Sequence, residues 1–219
     1  MSIALNFDDF IGRLHERLKQ PLPGKEAHEP LRAIPTGTRQ PNFSHQLPPK
    51  PGSVLILLYP ELGQVHFPLT RRHAYTGTHG GQVSLPGGKA EPGESAIETA
   101  LREAKEEVGL NAQSVKVLGQ LSDFFVIPSN FMVTPVVGVT ETPPEFQADP
   151  VEVKHIFTGT LEALVQDDAV RTSTITVAGQ FTLEAPHFEI QGEMVWGATA
   201  MMLNELRWIV REIMLTSRN

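Results

Sequence analysis

Not one cysteine occurs in this sequence. Disulfides, thiolate metal sites and a cysteine nucleophile are therefore excluded. Long hydrophobic runs are also missing: the longest, "VLILLY" at 54–59, is far too short to span a bilayer. The opening "MSIALNFDDF" lacks the basic and apolar regions of a signal peptide, so a cytoplasmic location is expected. Positive charge is scarce, with 18 Lys and Arg against 25 Asp and Glu and a net charge of -7. That balance argues against non-specific nucleic-acid binding, which needs a basic surface, and leaves an anionic substrate dependent on a metal ion or a local basic patch. No repeat, low-complexity tract or long charge block is present. His15, His28, His45, His66, His155 and His187 show no paired metal spacing and read as packing or surface groups.

What is present is enough apolar residue, 40% of 219, to bury a real core. Phe7, Ile11, Leu14 and Leu18 recur at helical spacing and predict an amphipathic N-terminal helix. The proline-rich, patternless stretch 20–52 predicts an extended arm packed around the body. Strands are expected at "SVLILLY" and "QVHFPLT" around "PELG", at "QVSL" before Pro86, and within "SVKVLGQLSDFFVI" and "FMVTPVVGVT". A hairpin is expected across "AGQ", with a further strand at "HFEIQ" and a last helix from about Ala198 that turns Leu203, Leu206, Val210 and Ile213 inward. The division expected is 1–52 as helix and arm and 53–219 as a single α+β or mixed α/β domain.

The chemistry lies in "GKAEPGESAIETALREAKEEVGL" at 88–110. On a helix over 95–108, Ile97, Leu101, Ala104 and Val108 form one apolar stripe, and Glu103, Glu106 and Glu107 fall within an arc of about 100° on the far side. A solvated face ordinarily mixes signs, whereas this one gathers carboxylates that repel. A hard divalent cation relieves the repulsion, because magnesium takes carboxylates, water and phosphate oxygens, and a phosphorylated substrate follows. Because that face is not the packing face, neutralising Glu106 or Glu107 is expected to leave the metal-free fold unharmed. Arg102, four residues after Glu98, is expected to clamp the helix by pairing with it. Glu94 suits the helix start, Gly87, Gly88 and Gly93 permit tight turning near a ligand, and Gly109 suits a C-cap.

The pattern Gly-x5-Glu-x7-Arg-Glu-U-x-Glu-Glu-x-Gly-U, with U apolar, is filled by Gly88, Glu94, Arg102, Glu103, Ala104, Glu106, Glu107, Gly109 and Leu110. In this the sequence resembles the Nudix hydrolase family. The resemblance implies an α/β/α sandwich around a mixed sheet, and hydrolysis of a nucleoside diphosphate linked to another group with Mg2+ or Mn2+. It makes Glu103, Glu106, Glu107 and the Gly87 carbonyl the metal ligands, with Gly88, Glu94, Arg102 and Gly109 structural. The general base stays open among Glu103, Glu106, Glu107 and Glu152, the last outside the box.

Upstream, "LTRRHAYTGTHGGQVSLPGGK" resembles the coenzyme A pyrophosphatase signature at Leu69, Thr70, Arg72, Gly81, Pro86, Gly87 and Gly88. It departs at His73, Gly77 and Leu85, where the signature has Ser or Ala, Arg and Phe. This resemblance implies hydrolysis of coenzyme A or acyl-CoA to adenosine 3',5'-bisphosphate and 4'-phosphopantetheine or its acyl form. Arg71, Arg72, His79 and Gly81 become the substrate-binding residues, and a homodimer the expected assembly. ADP-ribose, dinucleotides or nucleoside triphosphates are the alternative substrates, and a non-catalytic ligand-binding module the alternative class.

Overall fold

The computed structural model describes residues 6–39, 42–73 and 81–216. The chain opens with α1 (Phe7–Leu18), α2 (Lys25–His28) and β1 (Ile34–Pro35), then enters β2 (Lys50–Glu61), β3 (Gln64–Arg72), β4 (Val83–Ser84) and β5 (Gly87–Lys89). After α3 (Ala96–Val108) come β6 (Lys116–Gln120), β7 (Phe124–Val126), β8 (Phe131–Val139) and β9 (Val153–Thr160). A short α4 (Leu161–Leu164) leads to β10 (Val170–Val177), β11 (Phe181–Ile190), β12 (Glu193–Trp196) and the closing α5 (Gly197–Thr216).

The larger sheet has the order β4-β3-β2-β8-β6, with β5 also on β2, β7 on β8 and β9 on β3. It is mixed, because β2 runs parallel to β8 while its other ladders are antiparallel. Strand β2 explains the layering. Side chains alternate across a strand, and here both faces are apolar. Leu55, Leu57 and Tyr59 pack with Ala100, Ala104 and Val108 of α3. Ile56 and Leu58 join Phe10 and Leu14 of α1 and Leu206 and Val210 of α5 on the other side. The result is the expected α/β/α arrangement, with α3 on one face and α1 and α5 on the other. The smaller, antiparallel sheet holds β1, β10, β11 and β12. Among the described residues no helix is long and apolar enough to cross a membrane.

Several elements differ from the sequence expectation. "HFEIQ" is the end of β11 rather than a separate strand. Strand β9 carried no recognisable signal, since "VKHIFTGT" has a glycine and mixed polarity. "GGK" after Pro86 forms β5, not just a turn. A Cβ on Gly87 would lie 2.3 Å from the Ser53 carbonyl oxygen, so only glycine allows this approach to β2. The arm is not wholly extended: α2 and a 3-10 turn at Glu29–Leu31 interrupt it, burying Ala27, His28 and Leu31.

One fully buried carboxylate fastens this arm. Glu205 of α5 accepts hydrogen bonds from the Gly24 N–H at 2.9 Å, the Ser122 hydroxyl at 2.7 Å and the Ser122 N–H at 3.2 Å, and His28 Nε2 lies 2.9 Å away. Burial works to raise the Glu205 carboxyl, yet the bonds from His28, Ser122 and Gly24 together outweigh it and hold the group below its ordinary value. Glu205→Ala should therefore destabilise the protein by about 3 kcal/mol, the scale for breaking a buried polar pair, and speed proteolytic cleavage in the arm. Thermal melting with timed limited proteolysis checks this; unchanged cleavage would mean that apolar contacts alone hold the arm.

Candidate active site

Helix α3 begins where a capping box dictates. The Glu98 N–H donates to the Ser95 hydroxyl, the Glu98 carboxylate accepts from the Ser95 N–H, and Gly109 ends the helix in the left-handed region at φ 68°. Glu98 is thereby committed to Ser95, which overturns its expected pairing with Arg102. Arg102 instead donates Nε and Nη2 to the two oxygens of Glu94 at 2.7 and 3.0 Å, and Nη2 also reaches the Lys89 carbonyl at 2.9 Å. Its Nη1 bridges Glu103 at 2.8 Å and Glu106 at 3.1 Å. Glu94 does not act on the helix end: Arg102, together with the Glu91 N–H, holds its carboxyl down at about 2. Thr99, a further anchor for Glu94, donates its hydroxyl at 2.9 Å and had no signal in the sequence pattern.

The apolar stripe is rotated from the expected one. Thr99, Ala100, Ala104 and Val108 are buried, while Ile97 and Leu101 are only partly so. The rotation carries Glu107 inside, at 3% exposure, which corrects its placement on the solvent face. Glu107 Oε2 accepts the Gly87 N–H at 3.0 Å and Oε1 accepts Arg72 Nη2 at 2.7 Å. Burial pushes the Glu107 carboxyl up to about 7; Arg72 and the Gly87 N–H pull the other way, and Glu152 and Glu103 add to the rise. Glu106 remains on the surface, with its side chain 59% exposed. Glu103 lies directly over Gly88, where a Cβ would come within 2.4 Å of Glu103 Oε2 and push the carboxylate aside.

Strand β3 sends its two arginines in opposite directions, as alternation requires. Arg72 faces α3, reaching the Gly87 carbonyl at 3.5 Å and Glu152 Oε2 at 3.6 Å. Arg71, expected to meet substrate, is bound to Glu193 of β12 at 2.6 Å, and His155 Nε2 lies 3.2 Å from the other Glu193 oxygen. A register shift sets Arg71 opposite His155 and Arg72 opposite Val153, which brings the chain at Glu152 alongside Arg72. Gly81 turns at φ 68°, its N–H donating to the His73 carbonyl at 3.0 Å. Gly77 and His79 lie outside the described residues. Glu193 and Glu152 became neighbours of β3 only through folding.

The donor set around β5 is all oxygen: three carboxylates of α3 and the Gly87 carbonyl. Hard divalent cations take such donors, and the tight seat of Glu103 over Gly88 keeps that carboxylate against the glycine turn. The residues fit a magnesium-type ion in chemistry. Among the described residues no three such groups converge ready to grip one, because Arg102 and Arg72 hold the carboxylates.

This sheet, helix and acidic turn define the architecture of a diphosphate-cleaving hydrolase class, and the chain belongs to the NUDIX domain family, whose pattern matches residues 49–184. It is 37% identical over 139 residues to the uncharacterized Nudix hydrolase NudL of Photorhabdus laumondii, covering 63% of this chain and 73% of that one. It is 31% identical over 169 residues to Nudix hydrolase 3 of Caenorhabditis elegans, covering 70% of each. In fold, it matches the Nudix hydrolase RenU of M. smegmatis with a TM-score of 0.52 over 78% of this chain and 88% of that one, at 18% identity.

The contrast between Glu106 and Glu107 is measurable in chelator-treated protein. An acid whose folded pKa is raised makes the fold less stable as pH climbs from its unfolded value to its folded one, here from 4.5 to about 7. Across that window the parent should lose up to ~3 kcal/mol on account of Glu107. Glu107→Gln should flatten the slope, and Glu106→Gln should leave it intact and shift stability by no more than about 0.5 kcal/mol. Urea unfolding at several pH values reads both; a slope unchanged in Glu107→Gln would show that Glu107 is ionised at little cost.

Proposed function

We propose that this chain hydrolyses the pyrophosphate bond of coenzyme A or acyl-CoA in a reaction that depends on a divalent cation. Nudix hydrolases generally use divalent metals such as Mg2+ or Mn2+. The observation that carries the substrate reading is the position of three signature residues: Arg72 on β3 and Gly87 and Gly88 on β5 adjoin the carboxylates of α3. Arg72 touches both Glu107 and the Gly87 carbonyl. The motif resembling the coenzyme A signature and the acidic motif thus share one site. Leu85, where the signature has Phe, is a buried core residue at 1% exposure, so that departure changes packing and leaves the ligand surface alone.

Glu103, Glu106, Glu107 and the Gly87 carbonyl would hold the cation. When bound, it supplies charge neutralisation for the diphosphate and acidifies water. Arg102 occupies one oxygen each of Glu103 and Glu106 through a single nitrogen, which limits their rotamers and leaves the other oxygen of each uncommitted to it. In the reaction the oxygen of water bonds to phosphorus, the bridging P–O bond breaks, and a carboxylate takes the water proton. Glu152 suits that last role. Both oxygens of Glu107 are engaged and Glu103 is held by Arg102, whereas Glu152 has its side chain 56% exposed and lies 3.6 Å from Arg72.

A panel of coenzyme A, acetyl-CoA, ADP-ribose, dinucleotides and nucleoside triphosphates, with products read by mass spectrometry, tests the reading. Coenzyme A or its thioester should turn over fastest and yield adenosine 3',5'-bisphosphate, and chelation should abolish the reaction. Glu152→Gln should lower kcat by about 100-fold or more with KM little changed. Faster turnover of ADP-ribose would assign the departures at His73 and Gly77 to a different substrate, and no turnover of any compound would favour a ligand-binding module.

A further inference from the structure

The two guanidinium groups at this site are held differently. Arg102 has a fixed seat apart from the carboxylates it orients, through both oxygens of Glu94 and the Lys89 carbonyl. Among the described residues Arg72 has no such seat. Its side-chain polar contacts with them are Glu107 Oε1 at 2.7 Å, the Gly87 carbonyl at 3.5 Å and Glu152 Oε2 at 3.6 Å. Two of these oxygens belong to the set assigned to the cation above. Glu107 has no second oxygen to offer in exchange, since the Gly87 N–H occupies Oε2 at 3.0 Å.

We infer that Arg72 is a resident counter-ion on the oxygens that a divalent cation takes, and that cation binding releases its guanidinium toward the phosphates of the substrate. The inference rests on the metal-site reading given under the proposed function. A guanidinium and a divalent cation repel at contact distance, and one carboxylate oxygen and one carbonyl cannot serve both with full strength. Of the two arginines, the one without an independent seat yields. Arg72, with its side chain 21% exposed, opens onto the same face as Glu152, and its planar fork matches a phosphate through two parallel hydrogen bonds. Cation and phosphate binding are then coupled, each favouring the other. The site keeps its buried carboxylate paired before the cation arrives, and its phosphate-binding arginine is delivered with the cation.

The test follows the guanidinium directly in the full-length chain carrying 15N-arginine and 13C-carboxyl glutamate, with NMR resonances assigned through Arg72→Lys and Arg102→Lys. On titration with Mg2+ alone, the Glu107 carboxyl should shift, the restrained guanidinium signal of Arg72 should vanish and that of Arg102 should persist. Inorganic phosphate added next should restore a restrained Arg72 signal. An Arg72 signal that survives Mg2+ saturation while Glu107 shifts overturns the inference and leaves the metal site standing. No carboxyl response to Mg2+ overturns the metal site, and the inference with it. Independently, Arg72→Lys keeps a charge beside Glu107 but cannot bridge the three oxygens. It should bind Mn2+ more tightly than the parent, by about tenfold, as read from the free-Mn2+ paramagnetic resonance signal. Weaker Mn2+ binding in a folded Arg72→Lys would show that the arginine merely props up Glu107, and would overturn the inference.

Discussion

Glu107 is a carboxylate that the fold has taken out of water, and the arrangement of the site follows from how that cost is met. Its two oxygens are divided between a backbone N–H of β5 and a guanidinium of β3, so one side chain of α3 joins the helix to two strands. The Gly87 N–H is available to it only because β5 lies so close on β2 that no side chain fits there. The pairing also fixes the rotation of α3. With Glu107 inside, Glu103 is carried over Gly88 and Glu106 to the surface, which grades three chemically identical groups from buried to exposed within two turns. Burial sets Glu107 apart, since desolvation disfavours its charged form.

Positive charge is sparingly used around this turn. Arg102 is bound to four acceptor groups, three of them carboxylates, and bridges Glu103 and Glu106 through one nitrogen. Arg72 serves the inner carboxylate, and Arg71, its neighbour in sequence, is spent on Glu193 at the opposite face. The register shift between β3 and β9 matters here: it brings Glu152 level with Arg72, so a carboxylate from far along the chain joins the acidic turn.

A second buried carboxylate, Glu205, plays the corresponding part on the opposite face of the sheet. It collects donors from the arm and from the loop after β6, and so holds α2 against α5. The two groups differ in outcome. Glu205 has enough hydrogen bonds to stay below its ordinary pKa, whereas for Glu107 burial outweighs Arg72 and the Gly87 N–H and pushes it up to about 7. The first is a fastening; the second is a group whose charge still awaits a stronger partner.

Much of this was legible in the sequence because it depends on local chemistry. The capping sequence around Ser95 and Gly109 defines α3, apolar runs and the period-3.6 pattern define β2, β3, α1 and α5, and the spacing of acidic residues marks the family. What the pattern could not supply is anything that turns on distance in space. A helical wheel gives angles between side chains but no direction for the core, so it placed Glu107 outside and paired Arg102 with Glu98, its neighbour by spacing. Strand alternation separates Arg71 from Arg72, but only the register with β9 and the position of β12 decide which of them meets the acidic turn. Those outcomes belong to the tertiary structure because the partners, Glu152, Glu193 and the Gly87 backbone, are remote in sequence and reach hydrogen-bond or ion-pair distance only when the sheet closes around them.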